Sequence, residues 1–192
     1  MEDAADDVAL VCEQLNISHA VLIGFSLGFQ IALEILRRHP SRVRALIAVA
    51  GTCGQPLNDF QDTHFFSYIL PLLSKGRQWA PRMSSKLWQS LLPSEIIREL
   101  GLRSQVNAER LDHEDFALYM RQMAKIDPEL FITMLAEAQA HDARDMLRHI
   151  DFPTLILAGA KDSFVPLNRM RRHFFSVRGA RWKVFPDASH AL

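Results

Sequence analysis

A serine lies between two glycines where an apolar strand pattern changes at once into a helix pattern. Val21 to Ile23 is apolar, Gly24, Ser26 and Gly28 follow in the spacing Gly-x-Ser-x-Gly, and an apolar helix pattern begins at Phe29. A serine at so tight a turn has its hydroxyl exposed above the sheet, and glycines are expected beside it because a Cβ there would collide with neighbouring backbone. The alternative is an ordinary helix N-cap serine. The strand before it and the helix after it favour a nucleophile.

Two more side chains that could support a nucleophile follow later strand patterns. Asp162 comes after an apolar run that ends at Ala158, and His190 comes after a run that ends at Phe185. In open parallel sheets ligands bind beyond the carboxyl ends of the strands, so an acid placed like Asp162 is expected on the ligand side. The alternative for Asp162 is a turn aspartate that bonds its own backbone. A base and an orienting acid are what Ser26 needs, because an unassisted serine hydroxyl is a poor nucleophile.

The elements around these residues alternate in the way typical of an α/β fold. The predicted elements are helices at 3–15, 29–38 and 167–175 and strands at 20–23, 43–49, 153–158 and 182–185. Alternating strands and helices form a parallel sheet with right-handed crossovers. The strand at 20–23 is expected to be covered on both faces because it is wholly apolar. The first helix is expected to be one-sided, with an apolar stripe of Ala4, Val8, Val11, Cys12 and Leu15.

Residues 55–148 interrupt this alternation with helical patterns rich in apolar side chains. A segment of this length is too long for an ordinary loop, so we interpret it as a helical lid. Asp127 followed by Pro128 predicts the start of one of its helices. Its Phe65 and Met120 are candidates for an apolar substrate pocket, and the alternative for each is a place in the core of the lid itself.

The motifs described above resemble those of the α/β-hydrolase superfamily, and the resemblance runs through the whole chain in order. The segment from Val21 to Pro40 carries the serine motif, and Gly159-x-x-Asp162-x-x-x-Pro166 matches the position of the family's acid. His190 matches the family's histidine. The chain order of serine, aspartate and histidine is also that of the α/β-hydrolases, unlike the orders of chymotrypsin-like and subtilisin-like enzymes.

The resemblance implies a role for each matched residue. His190 would take the proton of Ser26 and later give it to the leaving group, and Asp162 would hold the imidazole tautomer. The backbone N–H of Leu27 would stabilise the oxyanion, and Phe25, Phe29, Phe65 and Met120 would contact substrate. Asp187 is a weaker candidate acid because it lies in the turn itself. The seven other histidines are interpreted as surface or lid residues: His19, His39, His64, His113, His141, His149 and His173.

The resemblance also implies an α/β-hydrolase fold with a mostly parallel sheet and helices on both faces. Residues 1–54 and 149–192 correspond to part of the core, and residues 55–148 correspond to the helical cap that roofs the site in this family. The early strands of the family, its second oxyanion donor and its final helix have no counterpart, so the chain is expected to be truncated at both ends. The unpaired side of the strand at 20–23 is then expected to favour self-association.

Composition excludes several function classes. The chain has 192 residues, with 22 basic and 22 acidic side chains, so there is no electrostatic case for nucleic acid as a partner. The basic stretch from Arg169 to Lys183 is interpreted as a solvated surface. No apolar run approaches the length of a membrane span, the acidic N-terminus is unlike a secretory signal, and the two cysteines form no disulfide framework. A cytoplasmic location is expected.

The sequence therefore predicts a serine hydrolase that cleaves a carboxylic ester or thioester of a small, mostly apolar acid through an acyl-enzyme. No spacing typical of metal ligands is present, and neither a metal nor an organic cofactor is expected. Acyl transfer to another acceptor and hydrolysis of a carbon–carbon bond remain open, because the same three residues serve all of these reactions. A truncated, non-catalytic binding module is the alternative from a different class.

Overall fold

The computed structural model describes residues 1–56, 86, 88–90, 93–94, 113–190 and 192. Its helices are α1 (Glu2–Gln14), α2 (Leu27–Arg38), α3 (His113–Met123), α4 (Pro128–Ala140) and α5 (Leu167–His173). Its strands are β1 (Ala20–Phe25), β2 (Val43–Val49), β3 (Thr154–Gly159) and β4 (Arg181–Phe185). Single 3-10 turns cover Pro40–Arg42, Arg144–His149 and Phe174–Ser176. No described helix is long and apolar enough to cross a membrane.

The four strands form one parallel sheet in the order β1-β2-β3-β4. Phe25 pairs with Val49, and Gly159 pairs with Phe185, so the strands end at a common edge. This confirms the predicted parallel sheet. Because the strands are parallel, the residues that follow them meet at one end of the sheet.

The hydrophobic core lies against one face of the sheet. Leu46 and Ala48 of β2 and Ile156 and Ala158 of β3 are fully buried, and they share a face because side chains alternate along a strand. Helix and turn residues complete this cluster, among them Phe29, Leu33, Leu147, Met170 and Phe174. The core therefore ties α2, α5 and the 144–149 turn to the same side of the sheet.

The opposite face of β1 is exposed. Val21 is 52% exposed, Ile23 67% and Phe25 51%, whereas Gly24 is buried on the α2 side. The expectation that the 20–23 strand is covered on both faces is therefore wrong for the described structure. Leu22 and Gly24 face α2 and pack beneath it, whereas the alternate side chains of this apolar strand face solvent.

Helix α1 buries alanines rather than the predicted stripe. Ala5 and Ala9 are buried, whereas Val8 is 37% exposed, Val11 52% and Leu15 64%. Small side chains allow close approach of two helices, and α1 packs principally on α2. The predicted helix is confirmed, but its buried face is rotated from the expected one.

Helix α4 begins where the Asp-Pro signal predicts. Asp127 is its N-cap, and its Oδ1 accepts hydrogen bonds from the N–H groups of Glu129 (2.7 Å) and Leu130 (3.3 Å). Pro128 occupies the first turn, where a missing N–H costs nothing. Helices α3 and α4 both lie inside the predicted cap, whose boundaries stay a prediction.

An ion-pair group joins α1 to the end of α2. The Asp6 carboxylate accepts hydrogen bonds from Nε of Arg38 at 2.9 Å and contacts Nε2 of His39 at 2.8 Å. The hydrogen bonds of Arg38, and then those of His39, lower the pKa of Asp6 to about 2. The ionised form of Asp6 is thus favoured by folding.

We expect Asp6→Asn to remove part of the acid sensitivity of the protein. Because folding lowers the pKa of Asp6, its contribution to stability is present above its unfolded pKa of about 3.9 and is lost as the pH falls toward about 2. Urea unfolding midpoints measured between pH 6 and pH 3 should show a flatter dependence on pH for Asp6→Asn. Asp7→Asn, at the exposed neighbouring aspartate, is the control and should keep the original slope.

Self-association through β1 stays a prediction. Within the described residues β1 pairs with β2 along one side only, and Ile23 is its most exposed side chain. An unpaired apolar strand edge is a template for another chain. We expect light scattering to detect oligomers of this chain, and Ile23→Thr to reduce them more than Val8→Thr on α1. A monodisperse monomer of the unchanged chain would contradict the prediction.

Candidate active site

Ser26 occupies a strained turn between β1 and α2. Its backbone has φ 52° and ψ −120°, which a residue with a side chain adopts at a cost of about 1–3 kcal/mol. The Ser26 N–H donates to the carbonyl oxygen of Val49 at 2.9 Å, which fixes the turn to the end of β2. A Cβ on Gly24 would lie 2.4 Å from the Cα of Phe29, so only glycine allows α2 to start this close to β1.

The second glycine of the motif is not required by space. A Cβ on Gly28 would meet no atom within 4 Å, and the backbone there is helical. The expectation that both glycines avoid a backbone collision therefore holds for Gly24 and is wrong for Gly28. Gly28 lies in the first turn of α2, where the neighbouring space is open.

The structure brings Ser26, His190 and Asp162 into one hydrogen-bonded chain. Nε2 of His190 lies 2.9 Å from Oγ of Ser26, and Nδ1 of His190 lies 2.9 Å from Oδ2 of Asp162. An ionised carboxylate only accepts hydrogen bonds, so Nδ1–H donates to Asp162 and Nε2 is left to accept from the Ser26 hydroxyl. This arrangement suits transfer of the serine proton to His190.

Both carboxylate oxygens of Asp162 have partners. Oδ1 accepts from the N–H groups of Phe164 (2.8 Å) and Val165 (2.9 Å), while Oδ2 faces His190. The Asp162 side chain is fully buried. Asp162 is thus a turn aspartate that accepts hydrogen bonds from nearby backbone, and it is also the partner of His190. The backbone hydrogen bonds to Oδ1 orient the carboxylate so that Oδ2 faces His190.

A close approach of two loops holds His190 over the sheet. A Cβ on Gly159, the last residue of β3, would lie 2.1 Å from the carbonyl oxygen of Ser189 and 2.5 Å from that of Ala188. The Lys161 N–H also donates to the carbonyl oxygen of Ala188 at 3.0 Å. The loop after β4 therefore crosses the end of β3, which places His190 beside the turn that carries Asp162.

Two phenylalanine rings lie next to the imidazole of His190. The ring of Phe25 lies 5.2 Å from it and that of Phe164 lies 4.9 Å from it, measured between centroids. Both are partly exposed, Phe25 at 51% and Phe164 at 37%. Phe25 was predicted to contact substrate, whereas Phe164 was missed, and its place two residues after Asp162 was the available signal.

The other predicted substrate contacts lie elsewhere or outside the described residues. Phe29 is fully buried in the core, with its ring 5.4 Å from that of Phe174, so it supports the sheet rather than lining the site. The reason is that Phe29 points from α2 towards Gly51 at the end of β2. Met120 is 9% exposed in α3, and its contact with substrate stays a prediction. Phe65 lies outside the described residues.

Asp187, the weaker candidate acid, pairs with Nζ of Lys161 at 3.3 Å, and both side chains are about half exposed. Within the described residues no group of three metal-ligating side chains comes together. Of the two candidate acids, Asp162 is the one that is buried and faces His190.

A model of the alpha/beta hydrolase fold matches residues 1–192. The chain belongs to the α/β-hydrolase family. It has that family's fold, with a parallel sheet. The predicted family and fold class are thereby confirmed, whereas the cap boundaries and the roles of individual site residues stay predictions.

Several curated relatives of this α/β-hydrolase are hydrolases or esterases, and they are longer than this chain. It is 28% identical over 179 residues to a pimeloyl acyl-carrier-protein methyl ester esterase of Citrobacter koseri, covering 90% of this chain and 63% of the relative. It is 27% identical over 187 residues to a 2-hydroxymuconate semialdehyde hydrolase of Pseudomonas sp., covering 96% and 60%. It is 23% identical over 193 residues to a dihydrolipoyllysine-residue acetyltransferase component of the acetoin cleaving system of Pseudomonas putida, covering 100% of this chain and 46% of the relative. The chain thus spans less than two thirds of these relatives.

A solved structure has the same fold as this chain. A thermophilic esterase from Thermogutta terrifontis superposes with a TM-score of 0.66 at 25% identity, covering 97% of this α/β-hydrolase and 63% of the esterase. The fold therefore extends over nearly all of the chain and over part of the solved protein.

We expect Gly24→Ala and Gly28→Ala to differ sharply. The Gly24 substitution places a methyl group against the Phe29 backbone, so it should lower the melting temperature or prevent folding. The Gly28 substitution fills open space in a helix and should leave the melting temperature unchanged or raise stability by up to about 1 kcal/mol. Thermal unfolding followed by circular dichroism measures both, and equal losses would show that the turn is built differently.

Proposed function

We propose that this α/β-hydrolase cleaves a carboxylic ester or thioester through an acyl-enzyme formed on Ser26. The observation that carries the proposal is the hydrogen-bonded chain from Ser26 through His190 to Asp162. The esterases and hydrolases among its relatives support ester hydrolysis as the reaction class. Since the chain spans only part of those relatives, activity and substrate are proposals for the whole protein.

In the proposed first step Oγ of Ser26 attacks the carbonyl carbon of the ester. Nε2 of His190 accepts the serine proton as the new C–O bond forms, and then gives it to the leaving alcohol or thiol. Water attacks the acyl-enzyme in the second step, with His190 again taking the proton and returning it to Ser26. Asp162 stabilises the transient imidazolium and keeps Nδ1 protonated throughout.

The developing oxyanion needs donors that are in place before the reaction. Leu27 is the first residue of α2, and N–H groups in a first helical turn have no partner inside the helix. The positive end of the helix dipole adds to this effect. We therefore assign the Leu27 N–H as one oxyanion donor, and such a donor lowers the barrier by about 3 kcal/mol.

The surroundings of His190 favour an apolar acyl or alkoxy group. Phe25 and Phe164 present partly exposed rings next to the imidazole. Met120 and Phe65 of the predicted cap (residues 55–148) would add apolar surface above them. We propose a small, mostly apolar ester as the substrate and a cytoplasmic location, with neither nucleic acid nor a cofactor involved.

Hydrolysis of a carbon–carbon bond is the second candidate function. The hydrogen-bonded chain suits this reaction as well, since Ser26 can attack a ketone carbonyl with the same help from His190 and Asp162. Acyl transfer would differ only in the acceptor that replaces water. A non-catalytic binding module is the alternative from another class, and reaction of Ser26 with a fluorophosphonate probe separates it from every enzymatic reading.

We expect substitutions in the hydrogen-bonded chain to lower kcat without unfolding the protein. Ser26→Ala or His190→Ala should reduce kcat for p-nitrophenyl butyrate by roughly 10⁴-fold or more, and Asp162→Asn by roughly 10⁴-fold, because each breaks the proton path. Ser26→Ala should also abolish fluorophosphonate labelling. Rates and labelling are measured in the full-length protein.

Asp187→Asn provides the matched control, because Asp187 is exposed and pairs with Lys161 rather than His190. It should retain kcat within about threefold. Retention of most esterase activity by Ser26→Ala would show that the nucleophile lies elsewhere.

A further inference from the structure

A buried polar group lies on α2, one helical turn beyond Ser26. Gln30 is 0% exposed, and its Nε2 donates to the carbonyl oxygens of Gly54 (2.7 Å) and Ala138 (3.3 Å). One side-chain amide thus joins the helix of the nucleophile to the segment that follows β2 and to the end of α4. Gly54 immediately precedes the predicted cap, residues 55–148, and Ala138 lies within its described C-terminal part.

A second pair joins the same elements one turn further along α2. Oε2 of Glu34 lies 3.1 Å from Nε2 of His141, the residue that follows α4, and the two side chains are 4% and 10% exposed. Arg37 lies 3.6 Å from Glu34 and also pairs with Asp145 at 2.8 Å, on the exposed rim. The described residues therefore place a polar row, Gln30, Glu34 and Arg37, along the contact between α2 and residues 138–145.

The two segments are also joined directly. The Ala143 N–H donates to the carbonyl oxygen of Cys53 at 2.8 Å. Residues 51–54 are buried, which is unusual for a segment outside regular structure and requires partners for its backbone groups. Gln30 supplies one of these partners through Gly54. Side chains of α2 thus connect residues 53–54 with residues 138–143.

The side chains of Gln30 and His141 are costly to bury. Oε1 of Gln30 and Nδ1 of His141 are buried without a hydrogen-bond partner among the described residues, and polar atoms in that state destabilise a fold. Apolar side chains of similar size would fill the same space at lower cost. What polar side chains provide and apolar ones do not is a fixed register between the elements they join.

We propose that Gln30, Glu34 and His141 are positioning residues that hold residues 138–145, which lie within the predicted cap, in one register on α2, and that this register selects the acyl group that reaches Ser26. The selection of the acyl group rests on the proposed esterase function, whereas the register of the cap does not. The bonds from His190 to Ser26 and Asp162 come from β1, β3 and β4, so a shift of the cap leaves them in place. Loosening the register should therefore alter binding of long acyl chains and spare the reaction of short ones.

The direct test compares Gln30→Met with Gln14→Met. Methionine keeps the length of glutamine and removes its amide, and Gln14 is an exposed glutamine of α1 that serves as the matched control. By hydrogen–deuterium exchange, Gln30→Met should accelerate exchange in peptides spanning 138–146 by about tenfold, since it removes two buried hydrogen bonds. Peptides covering β3 (154–159) should be unchanged, and Gln14→Met should change neither.

The second measurement uses p-nitrophenyl esters of graded acyl length. For Gln30→Met we expect KM for the octanoate ester to rise about fivefold or more, with kcat for the acetate ester within about twofold of the unchanged protein. A residue that merely supports stability would not produce this split. His141→Ala removes the second pair from the cap side and should show the same pattern, and it takes the place of Gln30→Met if that variant does not fold.

The outcomes are distinguishable. Unchanged exchange at 138–146, or equal acceleration at 138–146 and in β3, would overturn the positioning role. Equal losses on acetate and octanoate esters would overturn the selection of the acyl group. Faster exchange confined to 138–146 in a protein that hydrolyses no ester would support the register of the cap and count against the proposed function instead.

Discussion

The left-handed backbone of Ser26 is the constraint on which the rest of the site depends. Such a conformation persists only where its surroundings leave no alternative. At Ser26 the surroundings that fix this conformation are the hydrogen bond from the Ser26 N–H to Val49 and the close contact between Gly24 and the Phe29 backbone. Ala50, which follows the neighbouring strand, also has a positive φ of 45° and is fully buried. Two adjacent strands thus turn sharply at the same level, and the second turn is fixed to β3, because the Ala50 N–H donates to the carbonyl oxygen of Leu157 at 2.9 Å.

Placement of the other two residues follows from the same sheet edge. Asp162 and His190 lie in the turns after β3 and β4, which are paired to each other as far as Gly159 and Phe185. The absence of a side chain at Gly159 allows the 188–189 backbone to cross β3, and this crossing brings the imidazole within 2.9 Å of both partners. Three residues separated by up to 164 positions therefore meet without any long side chain reaching across the site.

The sequence predicted what depends on local pattern and strand ends. The parallel sheet, the helix start at Asp127 and the meeting of Ser26, Asp162 and His190 all follow from signals within a few residues. The sequence could not predict which way individual side chains point. A helix that is apolar almost all round does not reveal that Phe29 points into the core, nor does the pattern of α1 reveal that alanines face α2. Ala50 carries no signal of its positive φ, because alanine rarely adopts one. Phe164 is identified as a neighbour of His190 only once the turn around Asp162 is known.

The polar row on α2 follows from the same surroundings. A helix covered on nearly all sides must bury whatever polar side chains it carries, and Gln30 and Glu34 are 0% and 3% exposed for that reason. Buried polar groups accept few neighbours, because each neighbour must supply a matching donor or acceptor. Apolar contacts between α2 and residues 138–143 would tolerate many registers, whereas the bonds to Gly54, Ala138 and His141 tolerate few. The helix that presents Ser26 is thus also the element that limits how the segment above it can lie.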